Sequence, residues 1–232
     1  MAESDWSFLA NSTSAGTVDR GVTTGIPRPN GGGNFVFGFA SLDNTVSAVG
    51  LYHNGSGFNE MLKGGSIRGA IKRSVSAGPT GFSAFYFIGA GGSDISDVAY
   101  LIGVEDDDPH QIVLRKGQIN LGLGDESAGS GGILAKSTAT YSNNTWLHIR
   151  LDMIVNGNGD VLLQSFENDL DANPVSSPVW TAIPGMEEFI DDTLAINSGT
   201  APLTAGRAGF GFESDQTSRR AAFDQIELLR QV

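Results

Sequence analysis

The strongest constraint on what this chain can fold into is a two-residue alternation of apolar and polar side chains, repeated in short runs along the sequence. In an extended strand successive side chains point to opposite faces, so alternation at this period marks a strand with one buried face. The pattern is sharpest from Trp146 to Val155. There Trp146, His148, Arg150 and Asp152 fall on one face, and Leu147, Ile149, Leu151 and Met153 on the other. Phe35, Phe37 and Phe39 share a face in the same way. Further runs cover 46–52, 66–72, 82–88, 98–104, 111–115, 161–168, 208–213 and 221–229.

Gly, Asn, Asp or Pro stands between most of these runs, and the chain holds 32 glycines. Glycine serves tight turns and bulges, which are frequent where strands are short and many. About ten to twelve such runs predict an all-β fold, a two-sheet antiparallel jelly-roll sandwich. A parallel α/β fold would need repeated helical crossovers, and the sequence has none. One short loop helix is predicted over 184–192, where Pro184 precedes acidic residues. Residues 26–33, Ile-Pro-Arg-Pro-Asn-Gly-Gly-Gly, cannot continue a helix or a central strand. The expected organisation is therefore an irregular N-terminal arm, 1–34, followed by one sandwich domain, 35–232. Two readings of the arm stand side by side. It is a surface or mobile loop, or it is a docking arm ordered against a neighbouring subunit through Trp6 and Phe8.

Charge narrows the partners. The formal net charge is −12, from 26 acidic and 14 basic residues. Phosphate backbones and anionic membrane surfaces are held by clustered Lys and Arg, so neither nucleic acid nor membrane is an expected partner. The basic pairs Lys72-Arg73 and Arg219-Arg220 are isolated. The absence of cysteine excludes thiol catalysis and Cys-ligated zinc. The first residues, Met-Ala-Glu-Ser-Asp-Trp, carry no basic or apolar targeting signature, so synthesis in a cytoplasm is expected.

Few residues present catalytic or metal-binding patterns. Glu105, Asp106, Asp107 and Asp108 run together before Pro109. Three readings are open: a strand-to-strand corner with solvated charges, a Ca²⁺ site built from carboxylate oxygens, or a glycosidase pair of Glu105 and Asp107. Asn156-Gly-Asn-Gly-Asp160 fails the spacing of an EF-hand loop and reads instead as a hairpin turn, with Asn156-Gly157 supplying a type I′ geometry. His53, His110 and His148 lack zinc spacing, and His148, on the polar face of its strand, is expected as a surface or half-buried partner. Residues 89–94, Gly-Ala-Gly-Gly-Ser-Asp, lack the order of a phosphate-binding loop. No nucleophile elbow occurs. Trp146, Trp180 and Tyr52, with Tyr86, are candidate platforms for a sugar ring if exposed. The other reading of Trp146 and Trp180 is as core or hairpin clamps.

The C-terminal ~90 residues resemble a family as a set. Thr145-Trp-Leu-His-Ile-Arg-Leu151 opens a strand, and Val161-Leu-Leu-Gln164 with Phe166-Glu-Asn168 returns along it. Pro178-Val-Trp180, Gly206-Arg-Ala-Gly-Phe-Gly-Phe212 and Ala222-Phe-Asp-Gln-Ile226 follow. This order resembles the concanavalin A-like lectin/glucanase superfamily. The resemblance implies a shared scaffold, with Phe210, Phe212 and Phe223 facing the core and Gly206 and Gly209 permitting close approach. Glucanases of that superfamily place alternating carboxylates along one strand, and no such strand is recognised here, so no catalytic residue is expected. Ca²⁺ is a possible cofactor by the same resemblance. In overall style the acidic, Cys-free, Gly-rich chain is also similar to virion proteins of tailed bacteriophages. That similarity implies a non-enzymatic structural protein, a capsid decoration or tail component, that forms a homo-oligomer and docks on other virion proteins. It would be made in the host cytoplasm and assembled on the virion. The alternative expectation is a lectin-like module that binds host or matrix glycans.

Overall fold

The structure, a computed structural model, describes residues 6–10, 16–21, 29–30, 36–41, 47–53, 64–74, 82–104, 110–123, 131–142, 144–192, 201–214 and 220–230. Among these described residues are fifteen strands, numbered in chain order. A seven-stranded sheet runs β1 (Trp6–Phe8), β4 (Ser47–His53), β14 (Arg207–Ser214), β6 (Phe82–Ala90), β7 (Val98–Val104), β8 (Ile112–Gln118) and β9 (Gly131–Lys136). An eight-stranded sheet runs β12 (Thr181–Ala182), β11 (Val161–Asn168), β10 (Trp146–Val155), β5 (Gly65–Ser74), β15 (Arg220–Arg230), β3 (Val36–Ser41) and β2 (Gly16–Gly21). β13 (Phe189–Asp191) also pairs with β11. These strand pairings are antiparallel, and the two sheets stack as a sandwich, so the fold class read from the alternation holds. No helix among the described residues is long and apolar enough to cross a membrane.

Alternation places the core. On β10, Ile149, Leu151 and Met153 are fully buried against the facing sheet, together with Ile67, Phe223, Phe210 and Phe212. β6 is buried on both faces. Tyr86 and Ile88 enter this central core, while Phe85 and Phe87 join a second cluster with Leu9, Ile95, Leu101, Ile119 and Leu123. Two glycines make the close packing possible. A methyl on Gly209 would stand 1.9 Å from the Leu51 carbonyl oxygen and 2.6 Å from the Phe87 ring. A methyl on Gly69 would lie 2.7 Å from the Tyr86 hydroxyl. That hydroxyl crosses between the sheets and donates to the Ala70 carbonyl at 2.9 Å.

One charged pair lies wholly inside. Lys116 Nζ donates to Asp191 at 2.7 Å, and both side chains are fully buried. The Tyr100 hydroxyl donates to the same carboxylate oxygen at 2.5 Å, and Lys116 also reaches the Ala201 carbonyl at 2.9 Å. Each group meets an opposite charge or a hydrogen bond, as burial of an ion requires. Burial, and the carboxylate behind it, hold the Tyr100 hydroxyl well above the usual phenol range. β13 is thereby tied across the sandwich to β7 and β8.

The structure corrects three sequence expectations. No helix forms over 184–192: Gly185 takes a positive φ of 88°, and Phe189–Asp191 is a strand paired with Val161–Leu163. Pairing with a neighbouring strand outweighs a weak local helix preference. Residues 1–34 are not wholly irregular, since β1 pairs with β4 in one sheet and β2 with β3 in the other. The hairpin at 156–160 forms, but its turn differs. Gly159 donates to the Asn156 carbonyl and takes a φ of 93°, so the positive φ falls there instead of at Asn156-Gly157. This is a three-residue loop closed by a glycine bulge.

Candidate functional site

The described residues contain a cleft of about 500 Å³ where β10 begins and β11 ends. The hairpin register sets it, because His148 pairs with Asn168 and Ile149 with Glu167. β11 then leaves the sheet through turns at 170–173 and returns as β12, which pairs Thr181 with Glu167. Its lining includes Tyr141, Thr145, Trp146, Glu167, Asp169, Asp171 and Thr181. Tyr141 donates to a Glu167 carboxylate oxygen at 2.9 Å, and burial beside that carboxylate raises its hydroxyl above the usual phenol range. Asp169 accepts from the Asp171 backbone at 3.0 Å, which folds the turn and presents both side chains outward.

The loop is pinned by buried polar groups, of which His148 and Asn168 also line the cleft. Asn168, 5% exposed, donates to the Asn173 carbonyl at 3.1 Å, contacts His148 Nδ1 at 3.2 Å and accepts from the Val179 backbone at 2.8 Å. His148 is 2% exposed, not superficial or half-buried as expected, and burial together with the neighbouring Arg68 pushes its pKa down to about 4. Trp180 lies over it with ring centroids 4.6 Å apart. The Arg68 and Arg150 guanidinium carbons each stand 5.9 Å from the same indole. Arg68 is paired with Glu227 at 2.5 Å, and Arg150 with Asp152.

The sequence candidates are therefore scattered. Trp146 is half-buried and lines the cleft. Trp180 is a half-buried clamp over His148, beside the cleft. Tyr52 belongs to the other sheet, under Arg207 at 4.6 Å. Tyr86 is fully buried and cannot present a ring to a ligand. Trp6 is 4% exposed and packs edge-on against Phe210, so it fills its own chain's core rather than a neighbour's surface; Phe8 is 41% exposed. Glu105, Asp106, Asp107 and Asp108 lie outside the described residues. No group of three or more His, Cys, Asp or Glu side chains among the described residues is arranged to hold a metal ion. Sequence reading missed the carboxylates of Glu167-Asn-Asp-Leu-Asp171, although their spacing of two was visible. Only Glu167 belongs to the strand; the two aspartates lie in the turn beyond it.

The fold is a two-sheet antiparallel sandwich of concanavalin A-like architecture, with an acidic cleft at one end of a sheet. Solved structures of the same architecture include a carbohydrate-binding module (CBM66) from Bacillus subtilis, at a TM-score of 0.52 and 11% identity, over 97% of this chain and 95% of that one. Lectin II from Ulex europaeus aligns at a TM-score of 0.53 and 8% identity, over 98% and 93%. A marine alginate lyase from Aplysia kurodai aligns at a TM-score of 0.50 and 10% identity, over 94% and 87%. No protein-family model matches the chain, and no curated protein matches its sequence.

Proposed function

We propose that this protein is a non-catalytic carbohydrate-binding module that seats a glycan in the cleft lined by Trp146 and the 167–171 turn. The observation that carries the reading is the chemistry of the cleft wall. An aromatic side chain offers an apolar face to the C–H face of a sugar ring, and carboxylates and hydroxyls in the same cleft accept from and donate to sugar hydroxyls. Trp146 and Tyr141 supply the first kind of group, and Glu167, Asp169, Asp171, Thr145 and Thr181 the second. The architecture shared with a carbohydrate-binding module and a lectin supports this reading as an analogy of scaffold. The role in a bacteriophage virion loses one support, because the arm's tryptophan is spent inside its own chain.

A glycan array probed with the protein, in Ca²⁺ and again in EDTA, tests the proposal. Retention of at least one glycan class is expected, abolished in Trp146→Ala and kept in Tyr52→Ala, with unchanged melting temperatures confirming that both variants fold. Silence of the wild-type protein under both conditions overturns it, as does equal retention by Trp146→Ala.

A further inference from the structure

The cleft's charge points beyond glycans in general, and we infer that it selects sugars bearing a free amine over their acetylated and acidic counterparts. The inference rests on the proposed glycan-binding role of the same cleft. Among the described residues, its lining includes the carboxylates of Glu167, Asp169 and Asp171 and no lysine or arginine. Asp169 and Asp171 are exposed. The lining histidine, His148, adds no positive charge near neutrality, because burial keeps it neutral down to about pH 4.

Among the described residues, the cations nearby lie outside the cleft lining. Arg68 is bound to Glu227, and Arg150 to Asp152. Lys72 sits cross-strand from Trp146 on β5, outside the lining, and burial lowers its pKa. The whole chain, at −12, reinforces the same sign. A carboxylate and an ammonium about 4 Å apart attract by about a factor of five even at the dielectric constant of water. Two aspartates acting on one amine would give about 25-fold, which salt screening reduces to roughly tenfold, while a uronic carboxylate is repelled by a similar factor. Acetylation removes the ammonium without removing the ring or its hydroxyls, so it isolates the charge.

The experiment is calorimetric titration at about pH 6, where sugar amines are protonated and the carboxylates ionised. Its probes are oligomers of glucosamine, the same oligomers N-acetylated, and oligogalacturonate. The expected order is amine, then acetylated, then acidic, with roughly tenfold between the first two, narrowing as salt rises. Asp169→Asn/Asp171→Asn, which keeps the turn-forming oxygen, is expected to collapse the preference while still binding the acetylated oligomer. Equal or tighter binding of the acetylated or acidic oligomers overturns the inference and leaves the glycan-binding role standing. Binding that appears only with Ca²⁺ overturns the charge argument in the same way. Binding of none of the three overturns the inference, while the glycan-binding role stands or falls with the array.

Discussion

Asn168 Nδ2 lies 3.2 Å from His148 Nδ1, and the direction of that hydrogen bond is fixed from outside the pair. The Val179 backbone N–H can only donate, so it must meet the Asn168 carbonyl oxygen. The amide nitrogen is left facing the Asn173 carbonyl and the imidazole. Nδ1 of His148 is therefore an acceptor and the ring is neutral. Protonation would set two donors against each other and unpin the turn.

Acid should accordingly weaken the fold. His148 titrates near 6.5 when unfolded and about 4 when folded. Between those values the unfolded chain holds a proton that the folded chain does not. The stability tied to neutral His148 is thus complete above about 6.5, declines as pH falls through the window and levels off below about 4. The full amplitude is on the order of 3 kcal/mol. Urea midpoints across this range should fall more steeply for the wild type than for His148→Gln. Parallel curves would show that His148 does not titrate there.

Asn168→Ala should cost about 2–4 kcal/mol, since it strips several polar groups of their partner within a buried site. Hydrogen exchange should also quicken at the Val179 amide, while the amides at the centre of β10 keep their protection. Uniform loss of protection would mean global destabilisation instead.

Lys116→Met should cost about 3–5 kcal/mol, because it strands the fully buried Asp191 carboxylate. Lys116→Met/Asp191→Leu should recover most of that loss, since it removes both charges and keeps the volume apolar. Chemical denaturation of the two single variants and the double variant forms the cycle that reads this coupling.

Gly209→Ala should lose about 2 kcal/mol or more, because its methyl meets a backbone carbonyl at 1.9 Å. Gly157→Ala, with nothing within 4 Å, should stay within about 0.5 kcal/mol. Thermal melting of the pair checks the contrast.

Much of the sandwich was legible in the chain. Strands 98–104, 146–155 and 161–168 fall where alternation placed them, and Phe210, Phe212 and Phe223 are in the core. These segments announce themselves because one face is buried and the other is not. The short strands β1, β12 and β13 did not, since two or three residues carry no period and owe their form to the strands beside them. The candidate site was legible only at Trp146. Glu167, Asp169 and Asp171 share a spacing of two, but their joint position depends on the strand ending at Asn168 and the turn that follows.

By itself, then, the sequence determined the class of fold, because burial of one strand face is a local pattern that every alternating run repeats. It also determined the sign of the charge. Tertiary structure decided which polar groups meet. Pairing β10 with β11 in one register placed His148 against Asn168. The return of the chain at Thr181 set Trp180 over the same histidine, and pairing of β13 with β11 carried Asp191 to Lys116. Such contacts join residues far apart in the chain, and neither partner's local pattern encodes the other, so they exist only once the sheets have packed.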